Sequence, residues 1–277
     1  MTLLPAPGRC AVMGVLNVTP DSFSDGGRYL HVDDAIGHGV RIWRSGADLV
    51  DVGGESTRPG ALRVDADTEI DRVVPVIREL AAAGVRVSVD TTRAKVAEAA
   101  VAAGAVVIND VSGGLADPDM ARVAADTGVP WILMHWRGHS RDMDALAEYT
   151  DVVAEVRAEL LARVDAALTA GVAEAAIAID PGIGFAKSSD HNWALLRDLG
   201  ALLDLGFPVL LGVSRKRFLG KLLADQDGTP RPPRGREDAT AAVTAIAATA
   251  GVWGVRVHDV RRSLDAVAVA AAMTGAR

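Results

Sequence analysis

Eight short, β-branched runs alternate with longer Ala-rich stretches along the chain. The runs occupy residues 10–19, 49–53, 86–90, 106–111, 130–136, 176–180, 208–214 and 252–258. Between and after them, residues 32–45, 69–83, 94–103, 118–126, 145–169, 191–205, 237–250 and 262–273 carry the marks of helices. In 69–83, Ile70, Val73, Val74, Ile77 and Leu80 form one apolar stripe at helical spacing. Gly84, Gly104, Gly128, Gly171, Gly206 and Gly251 close several of these stretches, as residues able to turn left-handed do at helix ends.

The runs do not alternate between apolar and polar. Residues 176–179 and 209–213 are apolar on both faces, as parallel strands covered on both sides are. Eight strand–helix units predict an α/β fold, a (β/α)8 TIM barrel forming a single domain over residues 1–277. A doubly wound open sheet is the alternative. The stretch 225–238, with Pro230, Pro232 and Pro233 among its charges, reads as a mobile surface loop inside the seventh unit. Trp131 opens the fifth run and is expected to help fill the barrel base.

In a barrel, the C-terminal strand ends build the active site. Here those ends are polar: Asn17, then Asp51 leading to Glu55-Ser56-Thr57-Arg58, then Asp90, Asn109-Asp110, His135, Asp180, Ser214-Arg215-Lys216, and Arg256 with His258. One such residue is ordinarily a turn former or helix cap. Eight strands ending this way describe a pocket for a polar small molecule. Asp90, Asn109 and Asp180 suit hydrogen bonding to a flat, nitrogen-rich ring, because a carboxylate pairs well with two adjacent N–H groups. Arg58, Lys216, Arg256 and His258 suit a polyanion such as a diphosphate. The sequence holds no HExxH, no close His pair and no Cys ligand set, so a built-in zinc is not expected. Mg²⁺ carried by substrate phosphates stays open.

Composition narrows the partners. A net charge of -7 argues against general attraction to nucleic acid or acidic membranes. The cation cluster must therefore reverse the sign locally. Cys10 is the single cysteine, which excludes an internal disulfide and suits a reducing cytoplasm. No apolar run is long enough for a membrane span.

The loops resemble those of the dihydropteroate synthases. The resemblance lies in residues 17–27 (Asn-Val-Thr-Pro-Asp-Ser-Phe-Ser-Asp-Gly-Gly), 53–60 (Gly-Gly-Glu-Ser-Thr-Arg-Pro-Gly), Asp90-Thr91, Asn109-Asp110-Val111-Ser112-Gly113-Gly114, Met134-His135, 180–187 (Asp-Pro-Gly-Ile-Gly-Phe-Ala-Lys), Ser214-Arg215-Lys216 and Arg256-Val257-His258. The motifs come in order over nearly the whole chain. That family's fold is a (β/α)8 barrel, in agreement with the strand count.

The resemblance implies a folate-pathway transferase that joins 4-aminobenzoate to the methylene carbon of 6-hydroxymethyl-7,8-dihydropterin diphosphate, releasing diphosphate and 7,8-dihydropteroate. It implies a pterin pocket of Asp90, Asn109, Asp180 and Lys216 with Met134 and Phe185. It places the diphosphate against Asn17, Thr57, Arg58, Arg256 and His258, with Mg²⁺ at Asn17. It assigns 4-aminobenzoate, and sulfonamides competing with it, to Phe23, Thr57, Arg58, Pro59, Gly184, Phe185, Lys216 and Arg217. Asp25, Lys216, Arg256 and His258 are the expected catalytic group. Many relatives have Ser where Arg217 stands, so Arg217 either pairs the benzoate carboxylate or points to solvent. A homodimer is expected; the Ala-rich helices over 239–250 and 264–273 either pack against a second subunit or pack on their own barrel. The competing readings are another pterin-binding barrel of the methyltetrahydrofolate methyltransferase type, and an inactive pterin-binding paralogue.

Overall fold

The computed structural model describes residues 3–19, 28–55, 63–138 and 145–275, with side chains from residue 32 onward in the second segment. Eight strands run parallel: β1 (Ala11–Asn17), β2 (Leu49–Gly53), β3 (Val87–Asp90), β4 (Val107–Asp110), β5 (Trp131–Met134), β6 (Ile177–Asp180), β7 (Leu210–Leu211) and β8 (Gly254–Val257). They pair in the order β6-β5-β4-β3-β2-β1-β8-β7. A parallel bridge between Ile179 and Val209 joins the two ends and closes the ring. The expected (β/α)8 barrel is the fold.

Facing alternates along each strand even where the letters do not. Val50, Val52, Val87, Val89, Leu133, Ile179, Leu211 and Val255 pack outward in the shell between strands and helices. Met13, Leu49, Val107, Ile132, Ala178 and Leu210 point inward and fill the base of the barrel. Leu4 and Trp253 plug that base from below, with the Trp253 Nε1–H donating to the Pro5 carbonyl at 2.8 Å. Trp131 belongs instead to the outer shell, which corrects its expected place at the base.

The helices are α1 (Arg28–Arg44), α2 (Ala66–Ala82), α3 (Ala94–Ala102), α4 (Met120–Thr127), α5 (Val152–Thr169), α6 (Ser189–Arg197), α7 (Leu199–Leu203), α8 (Arg217–Leu222), α9 (Glu237–Ala250) and α10 (Val260–Thr274). Asp65 starts α2 by accepting the Thr68 N–H at 2.8 Å. Asp151 starts α5 by accepting from Val153 and Ala154, so residues 145–151, expected as helix, stay outside it. The single helix expected over 191–205 is two, divided at Asp198, whose carboxylate caps α7. The stretch 225–238 includes a 3-10 turn (Pro233–Arg236) and the start of α9. Its Arg236 is buried and donates to the carbonyls of Arg231 and Arg215, at 2.7 and 2.6 Å.

Candidate active site

The inward positions change character towards the C-terminal ends of the strands. Above Leu49 comes Asp51, above Val107 comes Asn109, above Ala178 comes Asp180, and above Gly254 comes Arg256. This period-two progression brings polar side chains onto the wall of a cavity of about 1190 Å³ above the filled base. Asn17, Asn109, Met134, Asp180, Gly184, Phe185, Lys216, Arg217, Arg256 and His258 all line it. Asp90 joins the group through Arg256. Phe23, Asp25, Thr57, Arg58 and Pro59 lie outside the described residues.

Arg256 ties the site together. Its Nε donates to Asp51 Oδ2 at 2.6 Å, and its Nη2 donates to Asp90 Oδ2 at 2.7 Å. Asp51 has no exposure. It also accepts from the Asn109 side-chain amide at 3.1 Å and from the Ser88 hydroxyl. One carboxylate therefore orients an amide expected to read the ring and a guanidinium expected to meet the diphosphate. Sequence reasoning gave Asp51 no such role. Its only local signal is a charge inside an otherwise apolar strand.

The electrostatics follow from burial among opposed charges. Burial pushes Asp90 up to about 7, against the pull of Arg256 and with the push of Asp51. Burial works against the charge on Arg256, but Asp51, Asp90 and Asp180 hold it firmly protonated. Burial also raises Asp180, countered by Lys216, the Gly182 N–H and Lys187. Gly182 donates to Asp180 Oδ1 at 2.7 Å. Lys216 is brought down to about 8 by burial, with Asp180 opposing. Its ammonium donates to the Ile183 carbonyl and lies 4.6 Å from the centre of the Phe185 ring.

Glycines make room for this packing. Gly182 sits at φ +66°, where a Cβ would collide with the His135 carbonyl oxygen. Gly184 sits at φ +79°, and a Cβ there would press on the Lys216 stem at 2.8 Å.

At the rim, the Ser214 hydroxyl lies 2.9 Å from Nδ1 of His258 and accepts the His258 N–H at 3.2 Å. Arg217 is exposed at the start of α8 while still bordering the cavity. Among the described residues, no three His, Cys, Asp or Glu side chains converge as a metal cluster. Asn17 brings a hard amide oxygen to the same cavity as Arg256 and His258. That donor suits a hard cation held mainly by phosphate oxygens.

Residues 13–258 match the family described as "Pterin binding enzyme". The chain is 61% identical to the dihydropteroate synthase of Mycobacterium leprae (strain TN) over 262 residues, covering 94% of this chain and 92% of that protein. It superposes with a TM-score of 0.89 on the Xanthomonas albilineans dihydropteroate synthase with 4-aminobenzoic acid, at 46% identity, covering 97% of this chain and 94% of the other. With the same organism's enzyme in complex with 7,8-dihydropteroate, the TM-score is 0.87 at 42% identity, covering 99% and 97%.

Proposed function

The chain belongs to the dihydropteroate synthase family of pterin-binding enzymes, and from that membership we propose that its cavity joins 6-hydroxymethyl-7,8-dihydropterin diphosphate to 4-aminobenzoate by a dissociative substitution. The observation that carries this reading is the shared wall. Asp180, Asn109 and Lys216 line the same cavity as Arg256 and His258, so acceptors for a pterin ring and cations for a diphosphate meet in one place.

In the proposed reaction, the bond between the methylene carbon and the diphosphate oxygen breaks first, and the electron pair leaves with the diphosphate. The resulting positive charge spreads into the dihydropterin. Asp90 and Asp180 favour that cation. Arg256, His258 and Asn17 face the departing diphosphate, together with Thr57 and Arg58 of the second loop. The amine lone pair of 4-aminobenzoate then forms the C–N bond, and the resulting anilinium gives its proton to solvent water. An arylamine is already a nucleophile, so no covalent enzyme intermediate is needed. Asn17, with the phosphate oxygens, would hold Mg²⁺, which would supply charge neutralisation to the leaving group. Phe23, Pro59, Gly184, Phe185 and Arg217 enclose the aminobenzoate.

The reading takes residues 1–277 as one barrel domain acting in the cytoplasm as a homodimer. Exposed Ile246 on α9, with Val269 and Met273 on α10, support the dimer. No helix among the described residues is long and apolar enough to cross a membrane. Mixing the protein with the pterin diphosphate, 4-aminobenzoate and Mg²⁺ tests the function. Diphosphate release that depends on 4-aminobenzoate, and that a sulfonamide inhibits competitively, is expected. Release independent of 4-aminobenzoate overturns the reading.

A further inference from the structure

Three titratable side chains with no role in the reaction above form a hydrogen-bonded line from the cavity wall to the surface. Lys187 lines the cavity and is only 7% exposed. Its Nζ donates to the Phe185 carbonyl at 3.1 Å and lies 2.9 Å from Nδ1 of His135, itself 1% exposed. An ammonium has donors only, so Nδ1 accepts and the ring proton sits on Nε2. That Nε2–H donates to Glu159 Oε2 at 2.9 Å. The Glu159 side chain is 41% exposed and, with His135, borders a separate surface groove of about 220 Å³. Arg137 braces the outer end, pairing with Glu159 and with Glu155, the latter at 2.8 Å.

The polarity of the line runs one way. The negative charge of Glu159 favours a proton on Nε2, which leaves a lone pair on Nδ1, which favours an ammonium at Lys187. Burial holds His135 down to about 4, so the ring stays a neutral acceptor near neutrality. Burying a lysine is unfavourable unless its charge is answered. Burial brings Lys187 down to about 7, with Asp180 at the end of β6 and Glu159 opposing that fall, so its charge is in place on the acid side of neutrality.

We infer that Lys187 is a positioning residue of the pterin pocket, held at the cavity wall by Glu159 through His135 so that its positive charge keeps the buried Asp180 a carboxylate able to accept the ring N–H groups. The inference rests on the pterin reading of the cavity. Lys187 also faces Lys216, Arg137 and the Tyr149 ring, the last at 5.9 Å. Asp180 also faces Lys216, Arg256 and the Gly182 N–H. Burial already raises Asp180, and loss of the Lys187 charge raises it further. Ring binding requires the ionised carboxylate, so the acid limb of binding moves to higher pH.

The test is binding of 6-hydroxymethylpterin by calorimetry from about pH 4 to about pH 8, on wild type, Lys187→Met and Glu159→Gln. All three are first checked for folding by far-UV circular dichroism. Lys187→Met keeps the side chain's length and removes its charge. Glu159→Gln keeps an acceptor for Nε2–H and removes the charge, so a purely structural role leaves its profile unmoved. The expected result is an acid-limb midpoint raised by about one pH unit in Lys187→Met, a roughly tenfold loss of affinity on that limb, and a smaller rise in Glu159→Gln. Wild type that fails to bind the probe at neutral pH overturns the pterin reading itself. A bound probe whose midpoint is the same in wild type and Lys187→Met, or in wild type and Glu159→Gln, overturns the inference alone. Should Lys187→Met fail to fold, Glu159→Gln decides.

Discussion

Asp51 accepts the Nε–H of Arg256 at 2.6 Å from a position with no solvent exposure, across 205 residues of sequence. Asp51→Asn keeps the shape of the side chain and removes the charge that orients both Arg256 and Asn109. Hydrogen bonds to charged groups contribute about 1.5–3 kcal/mol each, so a stability loss in that range is expected in urea unfolding. Displacing two site residues is expected to lower kcat/KM by about 100-fold, read from diphosphate release.

Gly182→Ala places a Cβ against the His135 carbonyl oxygen, a backbone atom that has no rotamer to escape into. The substitution also enforces a φ that alanine resists. A cost of about 1–3 kcal/mol is expected. The Gly182 N–H to Asp180 shifts with it, so KM for the pterin substrate rises more than that for 4-aminobenzoate.

Arg93 pairs with two carboxylates, Glu55 at 2.8 Å and the fully buried Glu69. Arg93→Met strips Glu69 of its cation and is expected to cost about 3–5 kcal/mol near neutral pH. Burial already raises Glu69 above its ordinary 4.5, against the pull of Arg93. The variant raises it further. A carboxyl raised in the folded state favours folding while protonated, and that stability is lost as pH rises through the folded pKa. The deficit in urea unfolding is therefore smallest below 4.5 and grows above it.

Arg217→Ser removes an exposed charge from the cavity rim. Exposed pairs contribute about 0–1 kcal/mol, so KM for 4-aminobenzoate is expected to rise less than about fivefold. A larger rise places the guanidinium directly on the benzoate carboxylate.

Asp25→Ala tests the first loop. Turnover is expected to fall by about 100-fold, the scale of losing one electrostatic stabiliser, while 6-hydroxymethylpterin still binds in calorimetry.

The barrel and its polar rim were legible because each strand carries its chemistry at one end. Asp90, Asn109, Asp180 and Arg256 each close a β-branched run, and the loops between them bear distinctive motifs. The alternation of facing was hidden because Leu49, Val107 and Ala178 are as apolar inside the ring as Val50, Ile108 and Ile179 are outside it. The break at Asp198 was hidden because apolar spacing continues through it, while the capping carboxylate acts on the Ala201 N–H. The pairing of Arg256 with Asp51, and of Lys187 with His135 across 52 residues, has no local signature. Only closure of the ring brings those partners together.

The plug beneath the barrel sets an order on synthesis. The bond from Trp253 to Pro5 spans 248 residues, and β1 cannot meet β8 until the ribosome has made residue 254 and beyond. A nascent chain that lacks β8 has no partner for the β8-facing edge of β1 and no Trp253 to floor the barrel. That last strand acts as the closing stave. Non-local pairing of this kind folds slowly and leaves strand edges open to wrong partners. A ribosome stalled before β8 is thus expected to hold a chain that chaperones recognise and proteases cut, however complete its first seven strand–helix units are.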